Sequence, residues 1–495
     1  MQPLVLNKNP ANKLRDPDTL TIILISILCL YFLGKTLYFA LNIGVNISPD
    51  ETTWIGLSLI FSKSFFLPID SPSTYEYGLV THIPYLYVWL MGKAAHLNFF
   101  GISDLVFLRF INIGIGLGSL WFGWKTIALL TERNITRLLF MVLCTNTLML
   151  TFLNSFVSYD NLVNFFAVAS LYFLLVYFQH KSISDLLLCV LLLLAGCLTK
   201  LSFLPFAVLV FIVFMLKERN GYGDVFAGLK SCFLFTDLRQ STLLVMCLFL
   251  LALNVNLHLG NIVKFRTLSP SPEAVIGLEN AMQYRVFARN YIVRQFKEDQ
   301  LNLTDARRKA VRYIQHEGDL YGAFLLLDRA SQEKLQNQAY RLDRFSYAFP
   351  WMNLAMSKIF GIMGHKGMEK TGTSLIPFML IFLIAGVLMI RQLKLSDMNG
   401  NAVFLLTIFV GYTLVIMQYV NYTAYNKSGV IVLGLQGRYL FPVIYAGYAL
   451  AAYYLTSFRS HKVNILVAAI VAAVFMAGEF PWFLRHVTPD WYFGG

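Results

Sequence analysis

Leu20-Thr-Ile-Ile-Leu-Ile-Ser-Ile-Leu-Cys-Leu-Tyr-Phe-Leu-Gly-Lys-Thr-Leu-Tyr-Phe-Ala-Leu-Asn-Ile43 leads through Gly44-Val45 into Asn46-Ile-Ser-Pro-Asp-Glu-Thr-Thr-Trp54. The first stretch is long and apolar enough to cross a bilayer as a helix. It is too long for the apolar core of a signal peptide and has no small-residue cleavage site, so it reads as a retained span. The second stretch sets two adjacent carboxylates, Asp50 and Glu51, at the membrane surface, where desolvating them is costly. A solvated turn, Pro49 followed by two helix-starting acids, accounts for the pattern. A carboxylate there is also placed to take a proton from a hydroxyl. The rest of the chain decides between these readings.

The 495 residues are 57% hydrophobic and 14% charged, with mean hydropathy +0.60. A soluble domain carries about 25% charged residues, so the composition fits a polytopic all-α membrane protein. The formal net charge of +13 need not mean nucleic acid, because much of it falls in short loops between apolar runs, where it sets topology. The six cysteines are Cys29, Cys144, Cys189, Cys197, Cys232 and Cys247. None falls in a segment expected outside, so no external disulfide is expected. There is no CxxC pair and no metal-ligand spacing. No cluster argues for a dedicated metal site and no cofactor is certain, while a divalent cation stays open.

Lys8, Lys13 and Arg15 precede the first span and put the N-terminus in the cytoplasm. Residues 44–104 then form a first external loop. Its two helices, 50–62 and 82–97, are expected to lie in the interface, since counting the second as a span would put Arg133 and Arg137 outside. Spans are expected at 105–130, 136–155, 161–178, 185–199, 202–217, 241–259, 375–391, 401–420, 439–457 and 463–480. The basic segment 218–240 falls inside, as do Arg391 with Lys394 and Arg459 with Lys462. That makes about eleven spans in all, with the C-terminus outside. Residues 260–373 form a mostly helical external segment, with amphipathic helices at 272–298, 304–315 and 331–344. The chain divides accordingly into an N-terminal transmembrane module (1–259) that carries the first external loop, the external segment (260–373) and a C-terminal transmembrane module (374–495).

Several polar residues stand out against this frame. The loop segment Tyr75-Glu-Tyr-Gly-Leu-Val-Thr-His-Ile-Pro-Tyr-Leu-Tyr-Val-Trp89 is dense in aromatics, as a bilayer interface favours. Glu76 and Tyr77 are candidate substrate contacts there, and His82 can be structural or bind a ligand. Asp160, in Ser158-Tyr-Asp-Asn, sits at an outer turn where capping the next helix would also explain it. Lys200, in Leu198-Thr-Lys-Leu, lies at an outer turn against the positive-inside bias, as a snorkelling lysine or a ligand for a lipid phosphate. Arg438 stands in Gly434-Leu-Gln-Gly-Arg-Tyr-Leu-Phe-Pro442, again against that bias. Its planar fork suits bidentate phosphate binding, with Gln436 and Tyr439 beside it as further contacts, while an interfacial anchor is the plain alternative. Arg307, Arg308, Lys309 and Arg312 form a basic helix face that reads as solvated.

On these residues the chain resembles the GT-C superfamily of integral-membrane glycosyltransferases. The shared marks are Asp50-Glu51 in the first external loop, His82-Ile-Pro-Tyr-Leu-Tyr87 where many bacterial members carry a second proline in place of Ile83, Gly101 to Arg109, Tyr159-Asp-Asn-Leu and Leu198-Thr-Lys-Leu. Pro49-Asp-Glu and Gln436-Gly-Arg-Tyr look closer to one bacterial branch. The resemblance implies an inverting transferase of the bacterial cytoplasmic membrane. It would use a polyprenyl-phosphate sugar as donor and a glycan, lipid or protein as acceptor on the outer face. Asp50 would be the general base with Glu51 its alternate, and Arg438, Lys200 and His82 would bind donor phosphate. Rival readings are a flippase for a lipid-linked glycan, a polysaccharide polymerase or ligase, and a scaffold whose external segment binds a partner. A flippase would want paired charges at mid-membrane and broken helices in repeated halves, whereas the charges here gather at one face.

Overall fold

The computed structural model describes residues 17–45, 47–234, 237–315, 317–336, 341–392 and 399–494. Lys8, Lys13 and Arg15, on which the N-terminal orientation was argued, and Lys394 lie outside them. The described chain is helical except for a two-stranded antiparallel hairpin that pairs Ile362 with Met368 and Met363 with Gly367.

Among the described residues, six helices are long and apolar enough to cross a membrane: Asp18–Asn42, Asp104–Leu130, Tyr159–His180, Leu238–Phe265, Gly400–Ser428 and His461–His486. Two bent pairs would raise the number to eight. The expected count of eleven is not reached by length and composition, and the reasons are local. The stretch expected as 136–155 breaks into Asn134–Thr145 and Leu148–Asn154, bent by 65°. At the break, Lys35 from the first helix donates to Thr145 O at 2.7 Å and so satisfies a carbonyl that a continuing helix would use. The stretch expected as 202–217 turns by 116° into a further helix, Tyr222–Phe233, inside the segment read as a polar loop. Ile183–Thr199 and Ile376–Gln392 are shorter apolar helices. Phe441–Leu455 is short too, and nearly all of it is buried, so its apolarity serves packing within the bundle rather than contact with lipid.

Between the first and second of these long helices, residues 44–104 form two short helices, Glu51–Ser62 and Leu86–Ala95, close to the expected positions. Residues 260–373 depart further from expectation. Gly277, at φ 81°, and the turn at Met282–Tyr284 divide 272–298 into Pro272–Ile276, Leu278–Ala281 and Arg285–Lys297. Leu303–Tyr313 matches the expected 304–315. In place of 331–344 there are Glu317–Gln336 and Arg344–Phe360. The second starts at Asp343, whose carboxylate accepts from the Phe345 and Ser346 amides at 2.8 and 3.0 Å. Arg285–Lys297, Leu303–Tyr313 and Glu317–Gln336 pack around a small core of their own, which includes Ala288, Ile292, Phe296, Ala306 and Leu327.

Candidate active site

Pro49 and Asp50 bring the chain out of the first span and into the Glu51–Ser62 helix. Asp50 adopts a left-handed conformation, φ 58° and ψ 15°, that non-glycine residues seldom take. Although it occupies the N-cap position, its side chain makes no capping hydrogen bond. Its Oδ2 instead meets Arg438 Nη2 at 3.2 Å, and the carboxylate stays 40% exposed. The plain reading of Asp50 as a helix-starting acid therefore fails, because its charge is directed to a residue 388 positions away.

Glu51 points the other way. Both its oxygens are held by Arg109, Nε to Oε1 at 2.9 Å and Nη2 to Oε2 at 2.6 Å, and Oε1 also accepts from the Val157 amide at 2.9 Å. Arg109 uses Nη1 to cap the first span through Ala40 O and Ile43 O. Neither partner is exposed. The expectation of Glu51 as an alternate base meets a geometry in which both carboxylate oxygens are already engaged inside the core. The adjacent acids thus divide: one ties the loop to the bundle, and the other faces outward.

Asp160 does not cap its helix either. Ser158 does so, its Oγ accepting from the Asp160 amide at 3.3 Å. The Asp160 carboxylate is instead shared by two cations, Lys200 Nζ at 2.5 Å and Arg438 Nε at 3.4 Å. Lys200 lies between two aromatic walls, 4.5 Å from the Tyr159 ring centroid and 5.0 Å from that of Tyr439. Four charged residues from four separate turns therefore form one chain, Asp50–Arg438–Asp160–Lys200, of balanced charge. Arg438 is its pivot and is almost wholly buried.

Burial raises the cost of ionising Asp50, but the Arg438 guanidinium outweighs it and holds the carboxyl below the usual range, with Arg285 adding to the effect. Burial works against the Arg438 charge as well, but Asp160 and Asp50 overcome it and keep the guanidinium charged. At Lys200 burial prevails over Asp160, and its pKa is lowered.

The turn Gly437–Leu440 carries Arg438 and seats against the Arg344–Phe360 helix. A Cβ on Gly437 would fall 2.8 Å from Ile359 N and 2.9 Å from Ala355 O, so only glycine allows this approach. Gln436, just before the turn, buries an Oε1 that has no partner among the described residues. Two residues beyond Arg438, Leu440 lines an apolar cavity of about 340 Å³. The cavity runs between the Arg344–Phe360, Ile376–Gln392, Gly400–Leu414 and Phe441–Leu455 helices, past Trp351, Phe382, Phe409 and Ile444.

The other candidates stand elsewhere. The His82 ring contacts Asp70 Oδ2 at 2.6 Å and Phe265 edge-on at 5.3 Å, rather than Arg438. Asp70 also collects the amides of Val80, Thr81 and His82, so it closes the 70–82 loop as a turn. Glu76 and Tyr77 pair with each other, and the Tyr77 ring covers Gly56 on the Glu51–Ser62 helix. Arg307 and Arg308 of the basic face pair with Asp328 and Asp305. His365, Arg285 and Asp70 went unnoticed in the sequence, since each is a lone residue whose partners lie far along the chain or in an irregular loop. Among the described residues, no group of three or more His, Cys, Asp or Glu side chains is arranged to hold a metal ion.

No protein-family model matches the chain, and no curated protein sequence matches it. Solved structures do. The oligosaccharyltransferase of Archaeoglobus fulgidus in its apo form is 14% identical with TM-score 0.46, over 95% of this chain and 58% of that one. ArnT from Cupriavidus metallidurans in its apo state is 14% identical with TM-score 0.38, over 94% of this chain and 81% of that one. The Pmt1–Pmt2 protein O-mannosyltransferase complex of S. cerevisiae, bound to the sugar donor, is 16% identical with TM-score 0.34, over 50% of this chain and 34% of that one. The chain thus spans about a third of the yeast protein and under two thirds of the archaeal one. The solved structures to which this all-α membrane protein is similar are GT-C glycosyltransferases, at low identity.

Proposed function

We propose that this chain is a membrane glycosyltransferase that moves a sugar, with inversion, from a polyprenyl-phosphate donor to an acceptor hydroxyl on the face that carries Asp50. The observation that supports the reading is a buried, charged Arg438 two residues from Leu440, which lines an apolar cavity. A phosphate bearing a polyprenyl tail suits both halves of that arrangement, its oxygens on the guanidinium fork and its chain among apolar side chains.

Asp50 and the donor phosphate then compete for Arg438. Without donor, Arg438 holds Asp50 ionised but weakly basic, which is poor for a general base. A phosphate on Arg438 Nη2 would release the carboxylate. Burial and the new negative charge would both raise its pKa toward the working pH. Base activation is thereby tied to donor binding. The acceptor hydroxyl gives its proton to Asp50 as its oxygen attacks the anomeric carbon. The bond from that carbon to the phosphate oxygen breaks, and the polyprenyl phosphate departs with the electron pair. Arg438 and Lys200 neutralise the growing charge, and Asp160 keeps both cations in position. Glu51 with Arg109, and His82 with Asp70, hold the loop and are assigned no chemical step.

Asp50→Asn is expected to leave the protein folded while lowering turnover by about 10²–10⁴-fold. Mass spectrometry of lipid-linked sugars from cells with the wild-type chain, with Asp50→Asn and without the chain should reveal one polyprenyl-phosphate sugar that accumulates in the last two. Identical lipid pools in all three would sink the proposal.

A further inference from the structure

Asp50 is held in its left-handed conformation from outside its own loop. Its amide donates to His365 Nε2 at 3.2 Å. His365 sits at the tip of the Ile362–Met368 hairpin, and its own amide donates to Ile47 O at 3.0 Å. The imidazole and the backbone of one residue therefore span the turn Ile47-Ser-Pro-Asp50 at both ends. The hairpin approaches so closely that a Cβ on Gly364 would lie 2.1 Å from Ile47 O. The segment near residue 490 secures the opposite side. Gly44 N donates to Trp491 O at 2.8 Å, and Phe493 N donates to Asn42 O at 3.0 Å. Lys366, next to His365, pairs with Asp490, so the same segment also holds the hairpin.

A left-handed aspartate relaxes to ordinary backbone angles unless its surroundings forbid it. At Asp50 the carboxylate is held by Arg438 and the carbonyl by the Trp54 amide, while the amide itself is held by a side chain on another element, His365. We infer that His365 is a positioning residue: by accepting the Asp50 amide proton on Nε2 it fixes the backbone angles that aim the Asp50 carboxylate at Arg438 and at the space outside. Without that acceptor the turn can relax, and the carboxylate swings away from the acceptor hydroxyl while the donor site around Arg438 and Lys200 stays intact. The inference rests on the proposed role of Asp50 as base.

The test uses the full chain in detergent. Amide exchange is followed by mass spectrometry in peptides spanning Ile47–Trp54 for wild type, His365→Ala, His365→Gln and Gly364→Ala. The same proteins, with Asp50→Asn, are assayed for release of undecaprenyl phosphate from a panel of undecaprenyl-phosphoryl hexoses and pentoses. In His365→Ala the Asp50 amide should exchange roughly three- to tenfold faster, as loss of one hydrogen bond allows. Its kcat should fall by about tenfold to a hundredfold, with KM for the donor unchanged. His365→Gln offers an amide oxygen in place of Nε2 and should restore most of both, whereas Gly364→Ala should resemble His365→Ala. Unchanged exchange in His365→Ala overturns the inference, as does a kcat loss that glutamine fails to rescue or a rise in donor KM instead. Normal turnover by Asp50→Asn would overturn the reading of Asp50 as base, and the exchange result would still decide whether His365 holds the turn.

Discussion

At the residue scale, two acids adjacent in sequence have opposite fates. Asp50 and Glu51 read together in the sequence as one acidic pair. Which acid faces outward was not legible, because it depends on Arg109, 58 residues on from Glu51, and on the left-handed angles of Asp50. Truncating Glu51 leaves the Arg109 charge buried without its partner, and breaking such a pair costs about 3–5 kcal/mol. Glu51→Ala is therefore expected to lower the thermal midpoint sharply in detergent, whereas Asp50→Asn, with its 40% exposed side chain, should lower it much less. Equal midpoints for the two variants would refute the division of labour. The lowered pKa of Asp50 gives a second expectation at this scale. Its folded value lies below the unfolded one of about 3.9, so its contribution to stability is full above that pH and is lost as pH falls through the folded value. The stability difference between wild type and Asp50→Asn should thus stay level from neutral pH down to about 4. In an Arg438→Ala background the largest opposing charge is gone, so the difference should fade at a higher pH than in the wild-type background. A midpoint series across pH in the four proteins checks this.

At the element scale, the site is an assembly of chain reversals rather than of helix faces. Asp50, Asp160, Lys200 and Arg438 each stand at or beside a helix end. Lys200 and Arg438 were legible there because, on the expected topology, each stands against the positive-inside bias. Their mutual partner was not, since Asp160 seemed sufficiently explained as a cap until Ser158 proved to hold that position. The turn Gly437–Leu440 is the element on which the arrangement hinges. Gly437→Ala would press a methyl against the backbone of the Arg344–Phe360 helix, which cannot yield locally as a flexible side chain would. The turn must shift outward and carry Arg438 with it. Donor use should drop by about tenfold to a hundredfold, chiefly through KM, because the fork is displaced from the phosphate without loss of the base. A drop confined to kcat would mean that Gly437 serves Asp50 rather than Arg438.

At the scale of the whole molecule, composition and apolar run length were enough to read a polytopic helical membrane protein. They were insufficient to count spans, because a buried helix such as Phe441–Leu455 has the composition of a span without its length, and because Lys35 ends one helix from outside it. What the fold fixes more firmly than the count is sidedness. The hairpin, the segment near Asp490, the Asp50 turn and the start of the three-helix lobe at Tyr284–Arg285 all meet at one end of the bundle. They are joined by the His365–Asp50 and Lys366–Asp490 contacts, by the Tyr75–Tyr284 ring pair at 5.9 Å and by the Arg285 charge felt at Asp50. Residues 44–104 and the lobe therefore share one end of the bundle. Ser73 and Gln300, both exposed, report on the two separately. Among the native cysteines Cys29 is half-buried and the other five are buried, so background reaction should be low. Cysteines introduced at Ser73 and at Gln300 should both react with an impermeant thiol reagent in intact cells, if the positive-inside bias of the short loops sets the orientation. Labelling of both only after permeabilisation would invert the protein and move the proposed transfer to the inner face. Labelling of one alone would contradict the contacts that join loop and lobe, and with them the geometry from which the site is argued.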